Sequence, residues 1–166
     1  MKVFLLGMPG SGKSTLGNQV AGNLNLKFID LDACIEEECG KSIPEIFQQD
    51  GEDYFRQKEG ALLRKHSSEE NNFIMSTGGG VPCFNENIEF MNQTGITVYL
   101  NVSLDELFNR LLETSDHRPL LAQSESLHDT IADLLAERTI YYNQASISIN
   151  SNSISANDIE ERLIRN

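Results

Sequence analysis

Basic residues are scarce in this chain. It carries 13 Lys and Arg against 25 Asp and Glu, a net charge of −12 and a pI near 4.6. A surface of that sign repels polyanions, which argues against nucleic acid and anionic membrane as partners. Cysteine is equally thin. Cys34, Cys39 and Cys83 are odd in number and form no C-x-x-C, so they read as reduced thiols of a cytoplasmic protein, core filler rather than metal ligands. No apolar run reaches membrane-spanning length. Residues 1–6 already read as a strand, so no signal peptide is expected. The sequence has no repeat, linker or low-complexity tract, and 166 residues suffice for one domain, 1–166, with its own core. His66, His117 and His128 show no ligand spacing and read as solvated. The shortage of cations sharpens one point: an acidic protein that handles anions must place its few arginines where the anions bind.

Against these absences stands one dense motif. GMPGSGKST, Gly7 to Thr15, fits G-x-x-x-x-G-K-[ST] through Gly7, Gly12, Lys13 and Ser14. An apolar strand, Val3 to Leu6, precedes it, and a helix-period stretch with Leu16, Val20 and Leu24 follows, the context this motif needs. Backbone N–H groups of such a loop turn inward and cradle phosphates at a helix N-terminus. Gly10, Ser11, Gly12 and Thr15 belong to the cradle, Lys13 reaches the outer phosphates and the Ser14 hydroxyl can ligate Mg²⁺. The chain is therefore expected to bind a nucleoside triphosphate.

Strands are expected near residues 2–7, 27–30, 72–76, 96–101 and 146–149, with helical patterns between them. That alternation implies a parallel sheet covered on both faces, with ligands at the carboxyl ends of the strands. Gly7, Asp30, Gly78 and Asn101 fall at those ends, and the last strand alternates as a half-exposed edge does. Residues 31–71 are too long for one crossover helix. Cys34 to Glu38 reads as helical and stops at Gly40. Ser42-Ile43-Pro44-Glu45 reads as a capping box with proline in the first turn, and Asp50 as the cap of a further helix to about His66. This stretch is expected to form an acceptor-substrate subdomain. Residues 113–123 lack apolar periodicity, hold His117-Arg118-Pro119 and are expected to form a mobile lid.

Asp30 and Asp32 close the second strand, where alternation would send one carboxylate toward a metal and the other toward an incoming substrate. The plainer alternative is that one of them caps the next helix. Glu52, Arg56 and Glu59 lie on one helical face. Spacing alone favours a solvated ion-pair ladder over an Arg presented to an anion and steadied by Glu59. Thr77-Gly78-Gly79-Gly80 offers more glycine than a tight turn needs and suits close backbone approach to a ligand. Arg138, Tyr141 and Tyr142 precede the last strand. The tyrosines read as packing, and the role of Arg138 is open.

Together these elements resemble the shikimate kinases along almost the full chain. The resemblance rests on FIDLD with IEE, on G-x-SI-x-EIF-x-x-x-GE-x-x-FR-x-x-E ending at Glu59, on TGGG at Thr77 to Gly80, on RPLL at Arg118 to Leu121 and on R-x-x-x-Y-x-x-A at Arg138 to Ala145. It implies a three-layer α/β/α P-loop kinase fold with five parallel strands in the order 2-3-1-4-5. It implies ATP-dependent phosphorylation of the shikimate 3-hydroxyl by a cytoplasmic monomer that uses Mg²⁺. Lys13 and Ser14 would contact phosphate and Mg²⁺, and Asp30 would hold the metal through water. Asp32 would orient the attacking hydroxyl, and Arg56 and Arg138 would bind the shikimate carboxylate. Gly78, Gly79 and Gly80 would line the acceptor pocket, Arg110 would flank adenine and Arg118 would reach over the transferring phosphoryl group. Pro9 stands where the family more often has a large residue.

Two rivals remain at this level. One is a small kinase for gluconate or a nucleoside monophosphate; the Arg56–TGGG–Arg138 set favours a carboxylated polyol instead. The other is a non-catalytic regulatory protein on this scaffold, which would be expected to lack Lys13, Asp32 or Arg118. A GTPase switch is disfavoured, because the chain has no N-K-x-D motif.

Overall fold

The computed structural model describes residues 1–113 and 127–165. Most of the expected lid, including Arg118, lies outside the described residues. The elements run β1 (Lys2–Leu6), α1 (Lys13–Asn23), β2 (Lys27–Asp30), α2 (Leu31–Cys39), α3 (Ile43–Gln49), α4 (Glu52–Glu69) and β3 (Phe73–Ser76). After a 3₁₀ turn at Val81–Cys83 come α5 (Asn87–Thr94), β4 (Ile96–Asn101), α6 (Leu104–Glu113), α7 (Leu127–Tyr142), β5 (Ile147–Asn150) and α8 (Ala156–Ile164). The five strands are parallel in the order 2-3-1-4-5, as expected.

The strand sequences dictate the layering. Side chains of β1 alternate between two cores. Val3 and Leu5 pack with Val20 and Ala21 of α1 and with Ile159 and Leu163 of α8. Phe4 and Leu6 pack on the other face with Leu63 of α4, Met91 of α5, Leu107 of α6 and Ile131 of α7. Burial of both faces explains the unbroken apolar run of β1. β5 is an edge strand whose residues alternate buried and exposed.

Residues 31–71 form α2, α3 and α4. Gly40, in the left-handed region at φ 63°, ends α2. The capping box is present: the Ser42 hydroxyl accepts from the Glu45 N–H, and the Glu45 side chain accepts from the Ser42 N–H. Such a cap is worth about 1 kcal/mol. The expectation for Asp50 is corrected. Gly51, at φ 86°, is the N-cap of α4, and Asp50 ends α3 while its carboxylate pairs with Lys41 at 2.7 Å. A glycine at that φ lets one helix stop and the next begin two residues later, leaving no place for a side-chain cap.

Candidate active site

The phosphate loop is the turn between β1 and α1. Gly12 caps α1 in the left-handed region, φ 94°, and brings no side chain to the first turn. No side chain caps the first turn of α1, and a helix N-terminus of this kind is suited to binding anions. Lys13 is buried, and its ammonium donates to the carbonyls of Gly7 at 2.8 Å and Met8 at 2.9 Å. Ser14 Oγ donates to Asp30 Oδ2 at 2.7 Å and stands 3.1 Å from Ser76 Oγ. Arg110 reaches in from α6: its Nη1 donates to the Gly10 carbonyl at 3.3 Å and its Nε to Glu106 at 2.7 Å. A cavity of about 540 Å³ is lined by Gly10, Lys13, Ser14, Thr15, Arg110 and Asp32 among others. That volume lies within the usual range of small-molecule sites.

Asp30 and Asp32 part company because the strand stops between them. Asp30 is the N-cap of α2, its Oδ1 accepting from the N–H of Asp32 and Ala33, while its Oδ2 takes the Ser14 hydroxyl. The capping role falls to Asp30, and Asp30 still faces the phosphate loop. Asp32 sits in the first helical turn and lines the cavity.

Beyond Asp32 a second group of charges converges on the three glycines. None of them has a positive φ; they are needed for room. A Cβ on Gly78 would stand 2.7 Å from Asp32 Oδ1, one on Gly79 2.9 Å from Arg138 Nη1, and one on Gly80 2.7 Å from both terminal nitrogens of Arg56. Each glycine thus admits one of the side chains expected at the acceptor site.

The solvated-ladder reading of Glu52, Arg56 and Glu59 is overturned by burial. The Arg56 side chain is 9% exposed and that of Glu59 1%. Arg56 Nη1 donates to both Glu59 oxygens at 2.9 and 3.0 Å, and its Nη2 to Glu52 at 3.2 Å. The guanidinium lies over the Phe84 ring, 4.3 Å from its centroid. Phe55 tucks into the core against Phe47. Burial pushes the Glu59 carboxyl up to about 7, with the charge and hydrogen bonds of Arg56 pulling the other way.

Sequence reasoning did not find the partner of Tyr142. The ring is fully buried, as packing predicts, but its hydroxyl donates to the Gly79 carbonyl at 2.6 Å. Its signal was the four-residue spacing from Arg138, which puts both side chains on one helical face. Among the described residues no cluster of three or more His, Cys, Asp or Glu could hold a metal. None of the helices among them is long and apolar enough to cross a membrane.

A phosphate loop that shares its cavity with a carboxylate, with two arginines drawn in against the neighbouring glycines, defines a P-loop kinase for a small acceptor. The comparisons make this narrower. The family model for shikimate kinase matches residues 9–166, and the chain belongs to the shikimate kinase family. A shikimate kinase of Bacteroides thetaiotaomicron is 43% identical over 98% of this chain and 90% of its own length. The crystal structure of shikimate kinase from that organism superposes with a TM-score of 0.91 at 42% identity, covering 99% of this chain and 97% of the other. The shikimate kinase of Acinetobacter baumannii, solved in complex with shikimate, gives 0.88 at 35% identity over 99% and 90%.

Proposed function

We propose that the protein transfers the terminal phosphoryl group of ATP to the 3-hydroxyl of shikimate, giving shikimate 3-phosphate on the route to chorismate and the aromatic amino acids. The observation that carries this reading is the single cavity shared by Lys13 of the phosphate loop and Asp32 of the acceptor side. Phosphoryl transfer asks a protein mainly to align donor and acceptor and to neutralise charge. Lys13 would leave the Gly7 and Met8 carbonyls for the phosphates. Gly10, Ser11, Gly12 and Thr15 would complete the cradle, and Arg110 would flank the adenine. Asp32 would accept a hydrogen bond from the attacking hydroxyl and hold it in line. Arg56 and Arg138 would take the shikimate carboxylate, with Gly78, Gly79 and Gly80 forming the wall between them.

The residues present fit a magnesium ion. The Ser14 hydroxyl and the Asp30 carboxylate already share one spot, and Mg²⁺ needs only one or two protein ligands besides water and phosphate oxygens. Ser14 would hold it directly and Asp30 through water; when bound, it supplies positive charge to the phosphate oxygens. Arg118 falls outside the described residues, and its role over the transferring group rests on family resemblance. A monomeric state and a cytoplasmic location belong to the same proposal.

A coupled assay of ADP release across shikimate, gluconate and nucleoside monophosphates tests the reading. Turnover with shikimate and not with the others is expected. Faster turnover with another acceptor would overturn it.

A further inference from the structure

Tyr142 is the last residue of α7, one turn beyond Arg138. Its ring stacks on Tyr99 with centroids 4.9 Å apart. Phenylalanine would fill that space equally well, so the hydroxyl calls for its own explanation. Its Oη donates to the Gly79 carbonyl at 2.6 Å and lies 3.7 Å from Met8 Sδ in the phosphate loop. The Arg138 charge lies close enough to act on the same oxygen. Gly79 is clasped from two further sides: a Cβ there would lie 2.9 Å from Arg138 Nη1 and 3.0 Å from Pro9 Cδ. Phosphate loop, acceptor loop and arginine therefore meet at one phenol. By donating to the Gly79 carbonyl, one phenol fixes the peptide against which the Arg138 guanidinium lies.

We propose that Tyr142 is a positioning residue for the acceptor: its hydroxyl anchors the Gly79 peptide against which the Arg138 guanidinium lies, and thereby fixes where the acceptor carboxylate is held relative to the phosphate loop. The inference rests on Arg138 being a carboxylate contact. Burial pushes the phenol far above its ordinary range, so the hydroxyl keeps its proton, and its donor role, at working pH.

The test is Tyr142→Phe combined with Arg138→Ala in a double-mutant cycle. Loss of one neutral hydrogen bond of this kind corresponds to a roughly 5-fold effect. In Tyr142→Phe the KM for shikimate should rise by about that factor. Its kcat should change less, and its KM for ATP should stay within about twofold. In the Arg138→Ala background the same substitution should add less than about twofold to the shikimate KM. Damage to the fold would instead multiply through both backgrounds. An unchanged shikimate KM in Tyr142→Phe, or an equal loss in both backgrounds, would overturn the inference. If Arg138→Ala itself leaves the KM unchanged, the carboxylate reading falls and the inference with it; if only Tyr142→Phe is silent, that reading stands and the inference alone falls. Should Tyr142→Phe fail to fold, the wild-type protein still decides. The resonance of the buried, hydrogen-bonded Tyr142 hydroxyl proton should shift in its NMR spectrum when shikimate is added, and an unmoved resonance would count against the proposal.

Discussion

The phosphate loop closes on itself over short spans: the Lys13 ammonium holds carbonyls only six and five residues back, at Gly7 and Met8. The cluster of charges around the three glycines, proposed to take the acceptor, does the opposite. It gathers Asp32 from α2, Arg56 and Glu59 from α4, three glycines after β3 and Arg138 from α7. One half is made of backbone that any chain with the right nine residues can form. The other is made of buried charge that exists only once four distant segments have packed. The two halves should therefore respond differently to perturbation, the first through the chemical step and the second through substrate affinity and pH.

Lys13→Ala should have the largest effect. Preorganised charge of this kind contributes about 3–4 kcal/mol to a transition state, so kcat should fall by at least ~100-fold with a native-like circular dichroism spectrum. A mutant with near-normal turnover would break the division of labour outright.

Glu59 probes the buried half through pH. The folded protein holds this proton more tightly than the unfolded chain, because burial raises the group from its ordinary 4.5 to about 7. The stability it adds is whole below the ordinary value and is lost as pH rises through about 7. Relative to Glu59→Gln, the wild type should lose up to about 3 kcal/mol over that window. Urea denaturation of both proteins at several pH values measures it. Parallel curves would mean that Arg56 keeps Glu59 ionised throughout and that the pocket does not respond to pH in this way.

Arg56→Lys should give the smallest effect and the sharpest comparison. The charge stays, but the fork that engages Glu52 and Glu59 is lost. One charge-assisted bond is worth about 1.5–3 kcal/mol, so the KM for shikimate should rise at least ~10-fold while that for ATP moves little. Steady-state kinetics with each substrate varied in turn would show whether the halves are separable; equal changes in both constants would mean they are not.

This contrast also explains what was legible beforehand. The strand order came with the family resemblance, the layers from the alternation of strands and helices, and the phosphate loop from its own spacing. The burial of Arg56 was not legible, because a Glu-Arg-Glu ladder looks the same on a wet helix face and a dry one; only the packing of Phe84 and the closeness of Gly80 separate them. The Tyr142 hydroxyl was hidden for a similar reason: its partner lies 63 residues away. Asp50 misled because the sequence offers both an acidic cap and a glycine, and the left-handed turn at Gly51 took the position. Strand alternation could not have parted Asp30 and Asp32, since residues two apart share a face; the change from strand to helix at Leu31 parts them.

The shared duties of Asp30 have a consequence for how the protein opens. One carboxylate ties the first N–H groups of α2 with one oxygen and the Ser14 hydroxyl of α1 with the other. The first turn of α2 cannot fray without releasing the serine of the phosphate loop. In amide exchange the N-terminal turns of α1 and α2 should then behave as one cooperative unit, losing protection together and gaining it together when a nucleotide fills the loop.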